Sequence, residues 1–275
     1  MPRFVPTVLT MADMRKICWS PCPESYAAAG PFCELRPHFT TRLEGKNFCF
    51  KFQDDSTLWY RFGRGFLEWS NDGQFFHEEY AECLESRRRD IFLIHHLRTH
   101  ENPCSAVTLV IDIAKSLVTL VACKFGTIHA NRDVSRKVIF GAYNGAAPGH
   151  TLTDELTGVV IDWKFADNVI IHQMYENVTC CAFVSPPPAA APEWKEFFIT
   201  FNPTKYVKLR EKLYLISFCA PGSSGMEASM LMDLRSMTQI GAMFGIDTAD
   251  TLRSYSFGGH GAYAGVAFIG RYTVE

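Results

Sequence analysis

The chain has no cationic surplus: 27 Lys and Arg stand against 29 Asp and Glu, a formal charge of -2. Nucleic-acid binding draws much of its affinity from neutralised phosphates, so a nearly neutral chain without a long basic run points away from it. Long apolar runs are missing too. Leu117 to Cys123 and Val159 to Ile161 are strand-sized, far below the roughly 20 residues of a membrane span. The opening Met-Pro-Arg-Phe-Val-Pro lacks the apolar segment of a signal peptide, so a soluble, cytoplasmic protein without a membrane partner is expected. No Gly-Lys-Ser/Thr follows the glycines of Gly258-Gly259-His260-Gly261, and no βαβ pattern frames a dinucleotide fingerprint. Those glycines read as turns, and no cofactor is called for. A compact zinc motif is absent as well: Cys18, Cys22, Cys33 and His38 match no finger spacing, so no metal is expected.

What is present is globular. At 47% apolar and 20% charged residues the chain can offset its ordering entropy. Aromatics make up 13%, with 22 Phe and 10 Tyr, which suits a molecule that encloses an apolar volume. The ten cysteines include Cys49, Cys123 and Cys181 within expected strands; without an export signal, free thiols are the reading.

Residues 1–43 show no sustained period and read as an irregular, partly helical lead. From Lys46 the pattern alternates: Asn47 to Gln53, a turn at Asp54-Asp55-Ser56, then Leu58 to Phe62 form a hairpin. Strands follow at Phe66 to Ser70, Phe75 to Ala81, Asp90 to Arg98, Ala106 to Asp112, Leu117 to Lys124 and Val134 to Ala142. Short turns and the lack of helical periods favour an antiparallel barrel or sandwich. Arg87-Arg88-Arg89 reads as a solvated loop or strand edge.

The second half repeats the first at a spacing of about 120 residues, the size of a barrel unit. Asp90 to His96 corresponds to Lys212 to Phe218, each followed by a strand ending in Asp112 or Asp233, and Phe140-Gly141-Ala142-Tyr143 is echoed by Gly261-Ala262-Tyr263. The expected domains are a lead over 1–43, a first barrel over 44–150 and a second over 151–275. The Lys51 to Phe62 hairpin, the Leu67-Glu68-Trp69 strand, the Tyr206 to Phe218 stretch and the Gly-Ala-Tyr ends resemble the MoaF family, a two-part family of calycin (lipocalin-like) β-barrels. The resemblance runs from about residue 44 to the C-terminus. It implies an all-β fold of two related lipocalin-like antiparallel barrels. The family name refers to molybdenum cofactor biosynthesis, a role that ranks last here because no pterin or metal site is legible.

In a small barrel, alternate side chains point inward. On Val169 to Glu176 the set Ile170, His172, Met174, Glu176 places a histidine between apolar residues, making His172 the principal candidate acid/base. His95 and His96 face opposite sides; His95, among Ile91, Leu93 and Leu97, is assigned to the interior and His96 to solvent. Glu176 or Tyr60 would relay the proton. Aromatic lining would come from Phe50, Phe52 and Trp69 in the first barrel, and from Trp163 and Phe218 with Met174 in the second. Such a cage with imidazole and carboxylate supports isomerisation or cyclisation, with dehydration or decarboxylation as variants, in specialised metabolism. The same rows also fit a carrier that binds a hydrophobic or aromatic small molecule without chemistry. The oligomeric state, including a homodimer, stays open.

Overall fold

The computed structural model describes residues 30–78, 81–101, 103–127, 133–167, 169–185, 198–220, 225–246 and 252–266. The architecture is all-β. After a short 3-10 turn, Gly30–Cys33, the chain forms two nine-stranded antiparallel sheets. The first comprises β1 (Asn47–Phe52), β2 (Thr57–Phe62), β3 (Leu67–Ser70), β4 (Phe76–Glu78), β5 (Ala81–Glu85), β6 (Ile91–Arg98), β7 (Ser105–Asp112), β8 (Leu117–Phe125) and β9 (Val134–Ala142). Its strand order is β4-β3-β2-β1-β9-β8-β7-β6-β5. The second comprises β10 (Thr151–Leu152), β11 (Val159–Ala166), β12 (Val169–Asn177), β13 (Cys180–Ser185), β14 (Phe198–Arg210), β15 (Leu213–Ala220), β16 (Met226–Asp233), β17 (Thr238–Ile246) and β18 (Leu252–Val266). Among the described residues no helix is long and apolar enough to cross a membrane, and no cysteine is paired. Cys18 and Cys22 lie outside the described residues.

The second sheet closes on itself because one strand serves two partners. The first part of β14 pairs with β13 and its later part with β15, so β11 to β18 form a closed barrel. In the first sheet β4 pairs with β3 and β5 with β6, and only residues 79 and 80 separate them. Three Cα steps span at most about 11 Å, so the two edges of that sheet are tied together as well.

The two sheets are copies of one meander, as the sequence repeat anticipates. Left-handed turn residues recur: Ser116 (φ 56°) before β8 and Met237 (φ 48°) before β17 are in step, while Arg89 (φ 60°) before β6 and Lys212 (φ 57°) before β15 are one residue out of step. Tyr143 N–H donates to Ser116 O at 3.0 Å and Gly261 N–H donates to Met237 O at 2.8 Å. The counterpart of Tyr143 is therefore Gly261 and not Tyr263; the Gly-Ala-Tyr match seen in the sequence is out of step by two residues.

Three apolar clusters follow from this arrangement. One fills the first barrel around Phe50, Tyr60, Phe62, Trp69, Ile94 and Tyr143. A second lines the other barrel around Trp163, Tyr175, Phe218, Met230 and Phe257. The third joins the barrels, with Leu93, Leu97, Val110 and Val121 against Leu215, Leu231, Ile240 and Phe244. Because the outer face meets the other barrel, β7 and β16 are buried along their whole length.

Two matching ion pairs clamp the joint. Arg210 at the end of β14 reaches Asp112 at the end of β7, with Nε to Oδ2 at 2.7 Å and a second bond from Nη2 to Oδ1. Arg88, in the equivalent turn, donates to Asp233 at the end of β16 at 3.0 and 2.8 Å. Arg88 thus belongs to the interface, whereas Arg87 and Arg89 on either side of it are exposed, as a solvated turn requires. Burial pushes the Asp112 carboxyl up, but Arg210, His150 and the Lys115 amide outweigh it and hold the group below the usual aspartate range. Asp233 is lowered in the same sense, chiefly by Arg88 against the opposing effect of burial.

A carboxyl with a depressed native pKa contributes its stability fully above the unfolded value near 4 and loses it as the pH falls below. Asp112→Asn is expected to cost about 3 kcal/mol at neutral pH and to flatten the acid limb of a urea-unfolding pH series. Equal stability of variant and parent at neutral pH would show the clamp to be inert.

Candidate functional site

The site begins with a bulge. The β11–β12 hairpin pairs Ala166 with Val169 but Lys164 with Ile170, leaving Phe165 as one extra residue. From there on Trp163 faces Ile171 and Ile161 faces Gln173. Residues directly opposite in an antiparallel pair share a face, so Ile171, Gln173 and Tyr175 point inward with Ile161 and Trp163. Without the bulge Trp163 would have faced His172. The single inserted residue therefore sends Ile170, His172, Met174 and Glu176 to the outside. His172 is 42% exposed by side chain and bonded to Asp162 on the barrel exterior.

Inside the second barrel is a cavity of about 170 Å³, bounded by Trp163, Phe165, Phe218, Met230, Met243 and Phe257, with Gln173, Thr200 and Tyr255 as its polar members. The lead contributes Phe32, whose ring meets Phe165 edge-on at 5.1 Å. Bulk is distributed differently here than in the first barrel, with small residues opposite Met243 and Phe257. Register equates Val107 with Ala228 and Leu120 with Gly241. At Gly241 the Phe257 ring occupies the place of a side chain: an added Cβ would sit 2.3 Å from its Cζ. Tyr143 plugs the end of the first barrel against Phe48 and Phe50, at centroid distances of 5.3 and 5.6 Å. Its counterpart Gly261 instead admits the Trp163 ring, with Cζ3 2.6 Å from a notional Cβ.

A short relay fixes the polar wall. Trp163 Nε1–H donates to the Tyr175 hydroxyl at 3.3 Å, and Tyr175 donates to Gln173 Oε1 at 2.9 Å. Met232 Sδ, at 2.8 Å, is a weaker competitor for that proton. Gln173 is 2% exposed, and its side chain hydrogen-bonds the Cys181 thiol. Burial raises the Tyr175 hydroxyl well above its ordinary pKa, so it stays protonated.

The other expected site residues are dispersed. His95 lies outside its own barrel, in the joint, where Nδ1 meets Thr108 Oγ1 at 3.0 Å and Nε2 meets Ser254 Oγ at 2.9 Å. His96 is the interior one, reversing the sequence assignment: the aliphatic face of Ile91, Leu93, His95 and Leu97 is apolar because the second barrel covers it. Its Nδ1 can only donate to the Leu97 carbonyl, at 3.0 Å, so Nε2 accepts from Tyr60 O–H at 3.1 Å. Tyr60, Phe50 and Phe52 sit in the ring-packed interior of the first barrel, and the Trp69 indole bonds Glu78 at 3.3 Å. Glu176 and Met174 are partly buried on the outer face of β12. Only Trp163 and Phe218 reach the cavity. Gln173, Phe32, Met230, Met243 and Phe257 escaped the sequence analysis; pairing β12 to β11 with the bulge in place is the signal that finds Gln173.

A larger cleft of about 680 Å³ lies outside the barrels, where Leu35 to Thr41 crosses the Arg87–Arg89 turn and β17. Its acids are already paired, Glu85 with Arg42 and Asp233 with Arg88. Among the described residues no cluster of three His, Cys, Asp or Glu could hold a metal ion.

Residues 26–127 match the family profile described as the MoaF N-terminal domain. The match covers the end of the lead and the first barrel through β8, so beyond it the kinship suggested by the sequence rests on the internal repeat. No curated protein matches the chain.

Burial lowers the His95 pKa to about 4 and that of His96 to about 3, which leaves both rings neutral near pH 7. A histidine depressed in the native state supports folding fully above its unfolded pKa near 6.5 and loses that support as the pH falls toward the native value. Unfolding free energy should therefore decline between about pH 6.5 and pH 4, and His96→Phe, which installs the residue found at the matching Phe218, should make the decline shallower. NMR titration should find neither ring protonating between about pH 8 and pH 5; a midpoint near 6.5 for both would refute this placement.

Proposed function

For a chain whose residues 26–127 match the MoaF N-terminal domain, we propose that the second barrel is a binding chamber for one small, apolar, ring-sized molecule. The observation that supports this reading is the cavity of about 170 Å³ within a closed barrel, walled by aromatic and methionine side chains. Its size is close to the roughly 150 Å³ of an apolar cavity that holds benzene and below the about 300–1,000 Å³ of pockets for drug-sized ligands. A flat single ring suits it better than an extended polyene. Methionines next to rings give a compliant wall that can follow the outline of its guest.

Binding is favoured over acid–base turnover by the character of the lining. His172 and Glu176 are outside the barrel, His95 is in the joint, and the groups that do face the hollow are an amide and two hydroxyls. General acid–base catalysis wants a group poised near the working pH and within reach of the guest. The isomerase or cyclase reading would need such a group from the Tyr60–His96 pair, which belongs to the other barrel.

Benzene or toluene should raise the melting temperature in a concentration-dependent manner, since a guest that binds only the native state stabilises it by about 2.7 kcal/mol at a hundred times its Kd. Ala228→Phe, which fills the chamber from β16, should fold and lose the response, at a cost of about 1–3 kcal/mol if the ring is crowded. An unchanged response in that variant, or none in the parent with any single-ring probe, would end the proposal.

A further inference from the structure

One residue on the wall of the chamber does not belong to its barrel. Among the described residues that bound the hollow, Phe32 alone comes from outside strands β11 to β18. The strands close on themselves through hydrogen-bonded ladders, so a guest passing between two of them would have to break backbone bonds. One end of the barrel is stopped by Tyr175, Tyr206, Tyr214 and Met232, none more than 3% exposed. The hollow lies toward the other end, where Phe165 and Ile171 flank the β11–β12 turn and Phe32 packs on Phe165.

The strap that carries Phe32 is tied to both barrels. The Cys33 thiol donates to the Ser256 carbonyl at 3.2 Å, and Arg36 Nη1 donates to the same carbonyl and to the Ser256 hydroxyl, each at 3.3 Å. Arg36 Nη1 also lies 3.8 Å from Oε1 of Glu82, a buried carboxylate on β5 of the first barrel that has Ser256 as a further partner. Gly258, on the same outer face of β18 as Ser256, makes room for the crossing. A Cβ there would stand 2.8 Å from Arg36 Cα and 3.1 Å from Leu35 O. Cys33, Arg36, Glu82 and Ser256 all lie outside the lining of the chamber. A side chain across the mouth and an anchor that never touches the guest are the working parts of a gate.

We propose that residues 32–36 gate the second barrel: Phe32 stops the mouth of the chamber, and Glu82 of the first barrel, acting through Arg36, holds it shut; this rests on the reading of the second barrel as a binding chamber. The filled barrel thereby takes part in the exchange of the guest. Opening releases the Arg36 and Cys33 contacts and lifts the Phe32 ring from Phe165, so its cost is that of a charge-assisted anchor plus one buried ring. While the closed form predominates, a gate sets how fast a guest enters and leaves and not how tightly it is held. Phe32 is wall and stopper at once, so replacing it alters affinity as well as access. The anchor residues separate the two effects.

The test uses fluorobenzene, with its exchange between free and bound forms followed by fluorine NMR and its Kd by calorimetry, on the full chain, on Glu82→Gln and on Gly258→Ala. Glu82→Gln takes the charge from the anchor. Gly258→Ala keeps every anchoring side chain and pushes the strap off β18. Each should raise the association and dissociation rate constants together by about tenfold, the worth of one net contact of this kind, with Kd unchanged within about twofold. Should these variants fail to fold, alkylation of Cys33 by iodoacetamide in the unaltered protein displaces its thiol from the Ser256 carbonyl and should speed exchange likewise; Cys33→Ser, treated in the same way, is the control that the reagent leaves anchored. If fluorobenzene binds and exchanges at the same rate with the anchor intact or disturbed, the gate is refuted and the chamber stands. Faster dissociation matched by an equally weaker Kd also refutes it, since the strap is then wall and not gate. If fluorobenzene binds neither the parent nor the variants, the chamber is refuted and the gate with it.

Discussion

The joint between the two barrels is the constraint from which the rest of the molecule follows. Each barrel turns the outer faces of its central strands toward the other, so β7 and β16 have no solvent side at all. A strand buried on both faces places every residue in one of two apolar compartments, its own barrel or the joint, and polar groups survive there only when hydrogen-bonded. His95 with Thr108 and Ser254, and Glu227 with Ser217 and Ser229, meet that condition within the joint. The matched Arg88–Asp233 and Arg210–Asp112 pairs hold the register of one barrel on the other, as bidentate pairs fix geometry better than single contacts.

Duplication under this constraint leaves the two interiors free to diverge, because neither contributes to the joint. The first barrel is occupied by its own rings, with Phe48, Phe50, Tyr60, Phe62 and Tyr143 in mutual contact. The second carries small residues at Ala228, Gly241 and Gly261 and has drawn Phe257 and Trp163 across the last two. The Tyr60–His96 pair of the first barrel is matched by Gln173 and Phe218 in the second. One copy serves mainly as a docked, filled partner; the other keeps a hollow with a single relay of hydrogen bonds along its wall.

The strands, their order and the repeat were legible because alternation and turn chemistry are local properties. The inward faces of β1 and β11, Phe48-Phe50-Phe52 and Ile161-Trp163-Phe165, follow from alternation alone. Two features were not legible. The bulge at Phe165 leaves no mark in composition, yet it inverts the face of every following residue on β12, moving His172 out and Gln173 in. The burial of the outer face of β6 depends on a barrel more than a hundred residues further along the chain, so His95 and His96 could not be sorted by their immediate neighbours. The candidate site suffered more than the fold because it depends on the parity of single residues, whereas the fold depends on whole strands.

The central claim is that the second barrel is hollow and apolar while the first is filled. A crystal structure determined under xenon pressure tests it most directly, since xenon enters dry apolar cavities without needing any polar partner. The account expects a xenon atom among Trp163, Phe218, Met230 and Phe257. A second barrel empty of xenon, with those side chains closed over the space, would contradict it.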